Sequence, residues 1–190
     1  MSPHIVLREA GVPYQLEKVD LRTHTTAGGA DFYGINPKGY VPALQFDDGR
    51  VLTEGPAIIQ YLADRAPESK LVPAAGTFER AQLQEWLNYI SAELHKTLGA
   101  FFNPKLLPEV RQSTLNILDK KFDYLSKQLA GRTFLLGDTF SVADAYLYTI
   151  LRWTDRFKID VGKWPVLQAY MARVASRPAV QASLKEEGLS

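Results

Sequence analysis

The sequence predicts a short α/β module followed by a larger all-helical part, and three observations carry that expectation. Two apolar runs, at 41–46 and 50–53, flank Asp47-Asp48-Gly49, a strong hairpin signal. A stretch at 66–76 containing Pro67, Pro73 and small residues reads as a linker. Beyond it the apolar residues recur with helical period.

The elements follow in order. Ser2 reads as a helix cap, Pro3 suits the first turn, and Ile5, Val6, Leu7 and Ala10 form an apolar stripe that stops at Gly11-Val12-Pro13. Residues 14–20 alternate imperfectly and predict a strand. The polar, glycine-containing stretch 23–34 predicts a loop with a short irregular helix, and Asn36-Pro37-Lys38-Gly39 a turn. Pro42 near the start of its run marks an edge or a special backbone position. Glu54-Gly55-Pro56 opens a helix carrying Ile58, Ile59, Tyr61 and Leu62. After the linker, 78–100 predicts one long helix and 110–130 a second. Ser141-Val142-Ala143-Asp144 resembles a capping box that starts a third, and 164–176 and 178–187 supply two more.

Composition narrows the chemistry. A net charge of +1 gives no general attraction to nucleic acid or an anionic membrane. No apolar run approaches the ~20 residues that span a bilayer, and residues 1–5 lack the basic stretch and apolar core of a signal peptide. With no cysteine, the sequence offers no disulfide, thiolate metal site or thiol nucleophile, and a reducing compartment is compatible with it. His4, His24 and His95 lack the spacing of a zinc-binding helical pair, so no metal site is expected.

Four motifs, in this order and at these distances, give the chain its resemblance to a family. They are 36–44 (Asn-Pro-Lys-Gly-Tyr-Val-Pro-Ala-Leu), 52–58 (Leu-Thr-Glu-Gly-Pro-Ala-Ile), 85–96 (Glu-Trp-Leu-Asn-Tyr-Ile through Glu-Leu-His-Lys), and 140–146 (Phe-Ser-Val-Ala-Asp-Ala-Tyr). With them the chain resembles a glutathione transferase of the bacterial beta class over nearly its whole length. The resemblance implies a thioredoxin-like N-terminal domain over 1–66 and an all-helical C-terminal domain over 77–190. It also implies a cytoplasmic homodimer in detoxification, with glutathione as co-substrate, no further cofactor, and a small apolar electrophile as the second substrate.

The resemblance also assigns residues. Glu54 and Gly55 would hold the γ-glutamyl end, where a helix N-terminus offers free N–H groups and partial positive charge to a carboxylate. Taken alone, Glu54 reads first as an acidic residue favouring the helix dipole. Val41 and a cis Pro42 would pair the cysteinyl part of glutathione through backbone groups, as an added strand. Read alone, Pro42 is an edge-strand proline. His24 stands where the family often has a lysine on the glycyl carboxylate. Asn88, Ala92 and His95 share a helix face by their spacing, flanked by Glu93 and Lys96, and the resemblance counts Asn88, Ala92, Glu93, Leu94 and His95 among the glutathione-binding residues. Asn88 and Glu93 match residues that reach glutathione from the neighbouring subunit, and His95 matches a histidine near the thiol. A partly charged imidazole or a lysine there favours the reactive thiolate. The bare-sequence alternative for His95 is a hydrogen-bonded packing residue. Phe101, Phe102 and Trp153 are candidates for the electrophile pocket, although Trp86, Trp153 and Trp164 also suit a core. His4 reads as structural, and Ser141 and Asp144 as folding residues.

The sequence departs from the family at its start. A first strand, and a loop bearing Cys and Ser or Tyr near the thiol, precede the first helix in the family, whereas this sequence opens at that helix. The expectation is therefore a thioredoxin-like domain without its first strand, in either a truncated ordinary transferase or a short relative. The alternative function is a non-catalytic carrier of glutathione or hydrophobic ligands.

Overall fold

Helix α1 (Ser2–Glu9) turns Ile5, Val6 and Leu7 into the core, and Gly11, at φ +65°, ends it. The computed structural model describes residues 1–189. Ser2 is not the cap. Met1 holds the N-cap position without a side-chain bond, and Ser2 is a buried first-turn residue. Proline is tolerated anywhere in the first turn, so Pro3 does not fix which residue precedes it.

The expected strand at 14–20 shrinks to β1 (Val19–Asp20), which pairs antiparallel with β2 (Thr25–Thr26). Residues 14–18 form no ladder among the described residues. An alternating pattern specifies an extended backbone, but a strand also needs a neighbour to take its hydrogen bonds. The hairpin expected around Asp47-Asp48-Gly49 is present as β3 (Ala43–Gln45) and β4 (Val51–Thr53), in register Ala43↔Thr53. Gly49 supplies the positive φ of +84° that the turn needs. The two hairpins form separate two-stranded sheets. Between them a 3-10 turn, Phe32–Gly34, buries Phe32.

Helix α2 (Gly55–Asp64) follows β4 directly and packs Ile58, Ile59, Leu62 and Ala63 into the core shared with α1. The connection to the helical part is held at several points. Val142 N–H donates to Leu71 C=O at 3.0 Å, and the Arg80 guanidinium bonds Asp64 at 2.9 and 2.5 Å and Pro73 C=O at 2.8 Å.

The helical part contains α3 (Phe78–Tyr89), started by Thr77, whose hydroxyl accepts from Arg80 N–H. The expected single helix over 78–100 is not uniform. A π-helical stretch, Ile90–His95, interrupts it before α4 (Lys96–Gly99) and a 3-10 turn at Ala100–Phe102. Then come α5 (Pro108–Leu129), α6 (Val142–Leu151), the short α7 (Trp153–Phe157), α8 (Pro165–Ala175) and α9 (Pro178–Glu186). Every residue of α6 except Thr149 is buried, so this helix is the axis around which the others pack. Full burial of each of its large apolar side chains contributes roughly 1.5–3 kcal/mol.

The start of α6 carries the expected capping box. Asp144 is completely buried and accepts from Ser141 N–H (2.9 Å), Ser141 Oγ (2.7 Å), Leu135 N–H (2.9 Å) and the Tyr170 hydroxyl (3.0 Å). Burial still pushes its carboxyl above the ordinary range, against the pull of those bonds. His4 is structural, as expected. It is buried, and its ring bonds Tyr14 Oη at 2.8 Å, Glu186 at 2.9 Å and Glu187 at 3.0 Å, tying α1 to the far end of α9.

Candidate functional site

Two short segments of the N-terminal module converge because of the β3–β4 register. Ala43 pairs with Thr53, so Val41-Pro42, just before β3, lies beside Glu54-Gly55, just after β4. A Cβ placed on Gly55 would stand 3.8 Å from Pro42 Cγ. The Val41–Pro42 bond is cis. Val41 lies outside the ladder and is 47% exposed, so a ligand can reach its backbone.

Glu54 occupies the N-cap position of α2, but its side chain makes no capping bond. Its carboxylate pairs instead with the ammonium of Lys38. Its backbone sits at φ +70°, ψ 113°, a conformation that costs a non-glycine residue about 1–3 kcal/mol. The side chain therefore does not cap the helix, while its charge at the helix N-terminus still suits the dipole. An exposed carboxylate is held out beside the free end of α2, where N–H groups lack intrahelical partners.

The turn at 36–40 carries Lys38 to this point. Asn36 Nδ2 donates to Tyr40 C=O at 2.6 Å, and Lys38 N–H donates to Asn36 Oδ1 at 3.2 Å. His24 backs the same turn, stacked on Tyr33 with ring centroids 4.4 Å apart. Gly39, at φ +71°, is required here, because a Cβ would meet the Tyr33 ring at 2.7 Å and the His24 ring at 3.2 Å. His24 Nδ1 is buried without a protein partner.

On the helical side the expected common face of Asn88, Ala92 and His95 does not form. The wider π turn at Ile90–His95 rotates His95 relative to Asn88. Asn88, Ala92 and Glu93 remain exposed, with Glu93 paired to Lys121 of α5. His95 turns inward instead, to Tyr146 of α6 and Trp153 of α7. Leu94 differs from the others in that its side chain is fully buried in the core, so only its backbone is left for a ligand contact.

The aromatic candidates divide as well. Phe102 (46% exposed) packs edge-on against Trp153 and Phe157, with centroids at 4.9 and 4.8 Å, and His95 stands 4.9 Å from Trp153. Phe101 is buried beneath them, against Phe157 and under the guanidinium of Arg111. Phe102, Trp153, Phe157 and His95 thus make one partly open aromatic surface, and Phe101 is its support.

His95 Nδ1 lies 2.6 Å from the Tyr146 hydroxyl. Burial pushes the imidazole below its ordinary value, and the charge of Lys96 adds to this. The ring is therefore neutral at pH 7, which revises the expected partly charged imidazole. Burial raises the Tyr146 phenol; the Ser91 hydroxyl opposes the rise, and the negative charge of Glu54 adds to it. Helix α2 packs directly against α6, which carries Tyr146, so the start of α2 and the His95–Tyr146 pair belong to adjoining elements.

Sequence reasoning missed Lys38, Tyr146 and Phe157, which touch Glu54, His95 and Phe102 respectively. Lys38 and Tyr146 lie inside the quoted motifs, but nothing local distinguishes them; their roles come from partners 16 and 51 residues away. A separate groove of about 600 Å³ lies between α1 and α9, lined by Leu7, Val12, Tyr14 and Arg177, and includes none of these candidate residues.

These features define a thioredoxin-like module docked on a helical domain, with candidate site residues on both. Comparisons with known proteins agree. The N-terminal domain model of glutathione S-transferases matches residues 2–65, and the C-terminal domain model matches residues 80–178. The chain is 42% identical to glutathione S-transferase GstA of Escherichia coli O157:H7, over all of this chain and 94% of that protein. Among solved structures it superposes on a glutathione transferase from Methylococcus capsulatus strain Bath with a TM-score of 0.97 and 55% identity, covering 100% of this chain and 94% of the other. It superposes equally fully on a sphingomonad glutathione S-transferase complexed with glutathione, with a TM-score of 0.95 and 43% identity, over 100% and 94% of the two chains. The chain belongs to the glutathione S-transferase family.

Proposed function

We propose that the protein is a glutathione transferase of the bacterial beta class that conjugates the glutathione thiol to small apolar electrophiles. The observation that carries this reading is the meeting of Val41-Pro42 with Glu54-Gly55 at the start of α2. There a peptide backbone, an ammonium and a carboxylate can be held together. Val41 offers strand-like pairing to the cysteinyl unit. The α2 N-terminus offers N–H groups to the γ-glutamyl carboxylate, and Glu54 offers its charge to the ligand amine. His24, beside Gly39, supports the glycyl end. Lys38 neutralises Glu54 in the free protein, and the ligand amine would compete for that carboxylate. The electrophile would lie on Phe102 and Trp153, with Phe101 behind them.

The same proposal takes 1–66 and 77–190 as the two domains and a cytoplasmic homodimer with a detoxifying role as the working form. Tyr40 (73% exposed) and Phe78 (74%) are large aromatic groups left uncovered by the single chain, and they support a second copy as partner. Asn88, Ala92 and Glu93 are exposed on α3 and the π turn, where they would face that copy's glutathione.

A chlorodinitrobenzene assay with glutathione tests the reading. Turnover above the buffer rate is expected, and Glu54→Ala should weaken glutathione binding about tenfold or more, the scale of a charged hydrogen bond. Folded protein without turnover would remove the enzyme reading, and tight calorimetric binding of glutathione without turnover would leave a carrier.

A further inference from the structure

We infer that Tyr146 is a positioning residue: its hydroxyl donates to His95 Nδ1 and so fixes the imidazole as the tautomer protonated at Nε2. The inference rests on the transferase reading only for its consequence in catalysis. The tautomer itself follows from the geometry.

The O···N separation of 2.6 Å is that of a short, well-made bond. Two arrangements are compatible with it: phenol O–H to imidazole lone pair, or imidazole N–H to phenol oxygen. Both rings are buried enough to stay neutral at pH 7, the phenol shifted upward and the imidazole downward. Between two neutral partners the more acidic hydrogen is donated to the more basic lone pair. A phenol O–H is more acidic than a neutral imidazole N–H, and an imidazole nitrogen is more basic than a phenol oxygen. Tyr146 therefore donates and Nδ1 accepts, which leaves the imidazole proton on Nε2.

The surrounding structure holds this arrangement. Tyr146 is 4% exposed and lies on α6, two residues from Asp144, whose four accepted hydrogen bonds fix the start of that helix. His95 lies at the end of the π turn, which directs it toward α6, and the Trp153 ring meets it edge-on at 4.9 Å. Nε2 makes no hydrogen bond among the described residues.

The consequence is a change of role. An Nε2 that carries the proton cannot take one from the glutathione thiol. It offers an N–H to sulfur that has already lost its proton, and so favours the thiolate by hydrogen bonding rather than as a base. No proton crosses from ligand to His95 in this scheme. The thiol proton leaves to solvent, and Lys96 next along the chain adds positive charge.

The test reads the tautomer directly. The full-length protein is labelled with 15N at histidine, and long-range 1H–15N correlations are recorded at neutral pH. The His95 signals are assigned by their loss in His95→Gln. The expected spectrum has a protonated Nε2 and an unprotonated Nδ1 at His95, and Tyr146→Phe shifts it toward a tautomer mixture. A protonated Nδ1 in the wild-type protein, or an unchanged tautomer in Tyr146→Phe, overturns the inference. Kinetics give a second reading. Tyr146→Phe should lower kcat about tenfold, the scale of one hydrogen bond, with KM for glutathione little changed. His95→Gln retains an N–H near the Nε2 position and should keep more activity than His95→Ala. Equal loss in both overturns the donor role. If no variant and no wild-type protein turns over substrate, the transferase reading fails while the spectrum still decides the tautomer.

Discussion

The N-terminal module and the helical domain solve the same problem with different densities of packing. The module has four strands of two or three residues, every one of them at least partly exposed except at Thr26. The helical domain is built around α6, where nearly every side chain is buried. The proposed site draws on both parts: its ligand-facing backbone would come from the sparse side, at Val41 and Glu54, and the groups that hold His95 come from the dense side, at Tyr146 and Trp153. Such a site would pair an adaptable binding half with a rigid half, and substitutions in the two halves should fail differently.

The largest expected effect is on the dense side. Asp144→Ala removes an acceptor shared by Ser141, Leu135 and Tyr170 and leaves buried donors unpaired, each costing about 1–3 kcal/mol. Denaturant unfolding should show a loss of roughly 3–5 kcal/mol. A loss below about 1 kcal/mol would mean that α6 is not the rigid half.

On the sparse side the sign reverses. Glu54 is held at a positive φ that glycine adopts freely. Glu54→Gly should raise stability by about 1 kcal/mol while abolishing the contribution of the carboxylate to glutathione binding. Thermal unfolding and calorimetry on the same variant would read both. A destabilised Glu54→Gly would show that the unusual backbone is not strained. It would also undercut the idea that stability has been given up there for binding.

The smallest effect lies at the clamp between α1 and α9. The Arg8 guanidinium, followed by the Tyr14 hydroxyl, holds the Glu186 carboxyl down to about 2, against an ordinary 4.5. Because the folded value is the lower one, the stabilisation is present in full above pH 4.5 and is lost as pH falls toward 2. The Tm of Glu186→Gln should therefore fall below that of the wild type near neutrality, and the two should converge in acid. A difference independent of pH would show that the charge of Glu186 plays no part. The group is exposed, so the effect is modest and should shrink with salt.

The sequence was most legible where local chemistry specifies structure. Asp47-Asp48-Gly49 set the hairpin, and Ser141 with Asp144 set the start of α6; both signals are complete within a few residues. It was least legible where the outcome depends on a distant partner. Residues 14–18 have a strand-like pattern but form no ladder among the described residues. The π turn at Ile90–His95 has no local signature, and the helical spacing of Asn88 and His95 misled for that reason. Leu94 lies in a motif that also contains candidate ligand residues, yet its own side chain serves the core. Tyr146 falls inside a motif that was noticed, but its tie to His95 exists only after α6 has packed against the π turn.

The tie between His4 and Glu186 has a consequence during synthesis. The two residues are 182 positions apart, so during synthesis α1 waits for a helix translated much later before its polar side is satisfied. Ile5 and Val6 share their core with α6 and α9 and so find their full set of neighbours late. The nascent module is thus exposed to wrong contacts until those helices have been made.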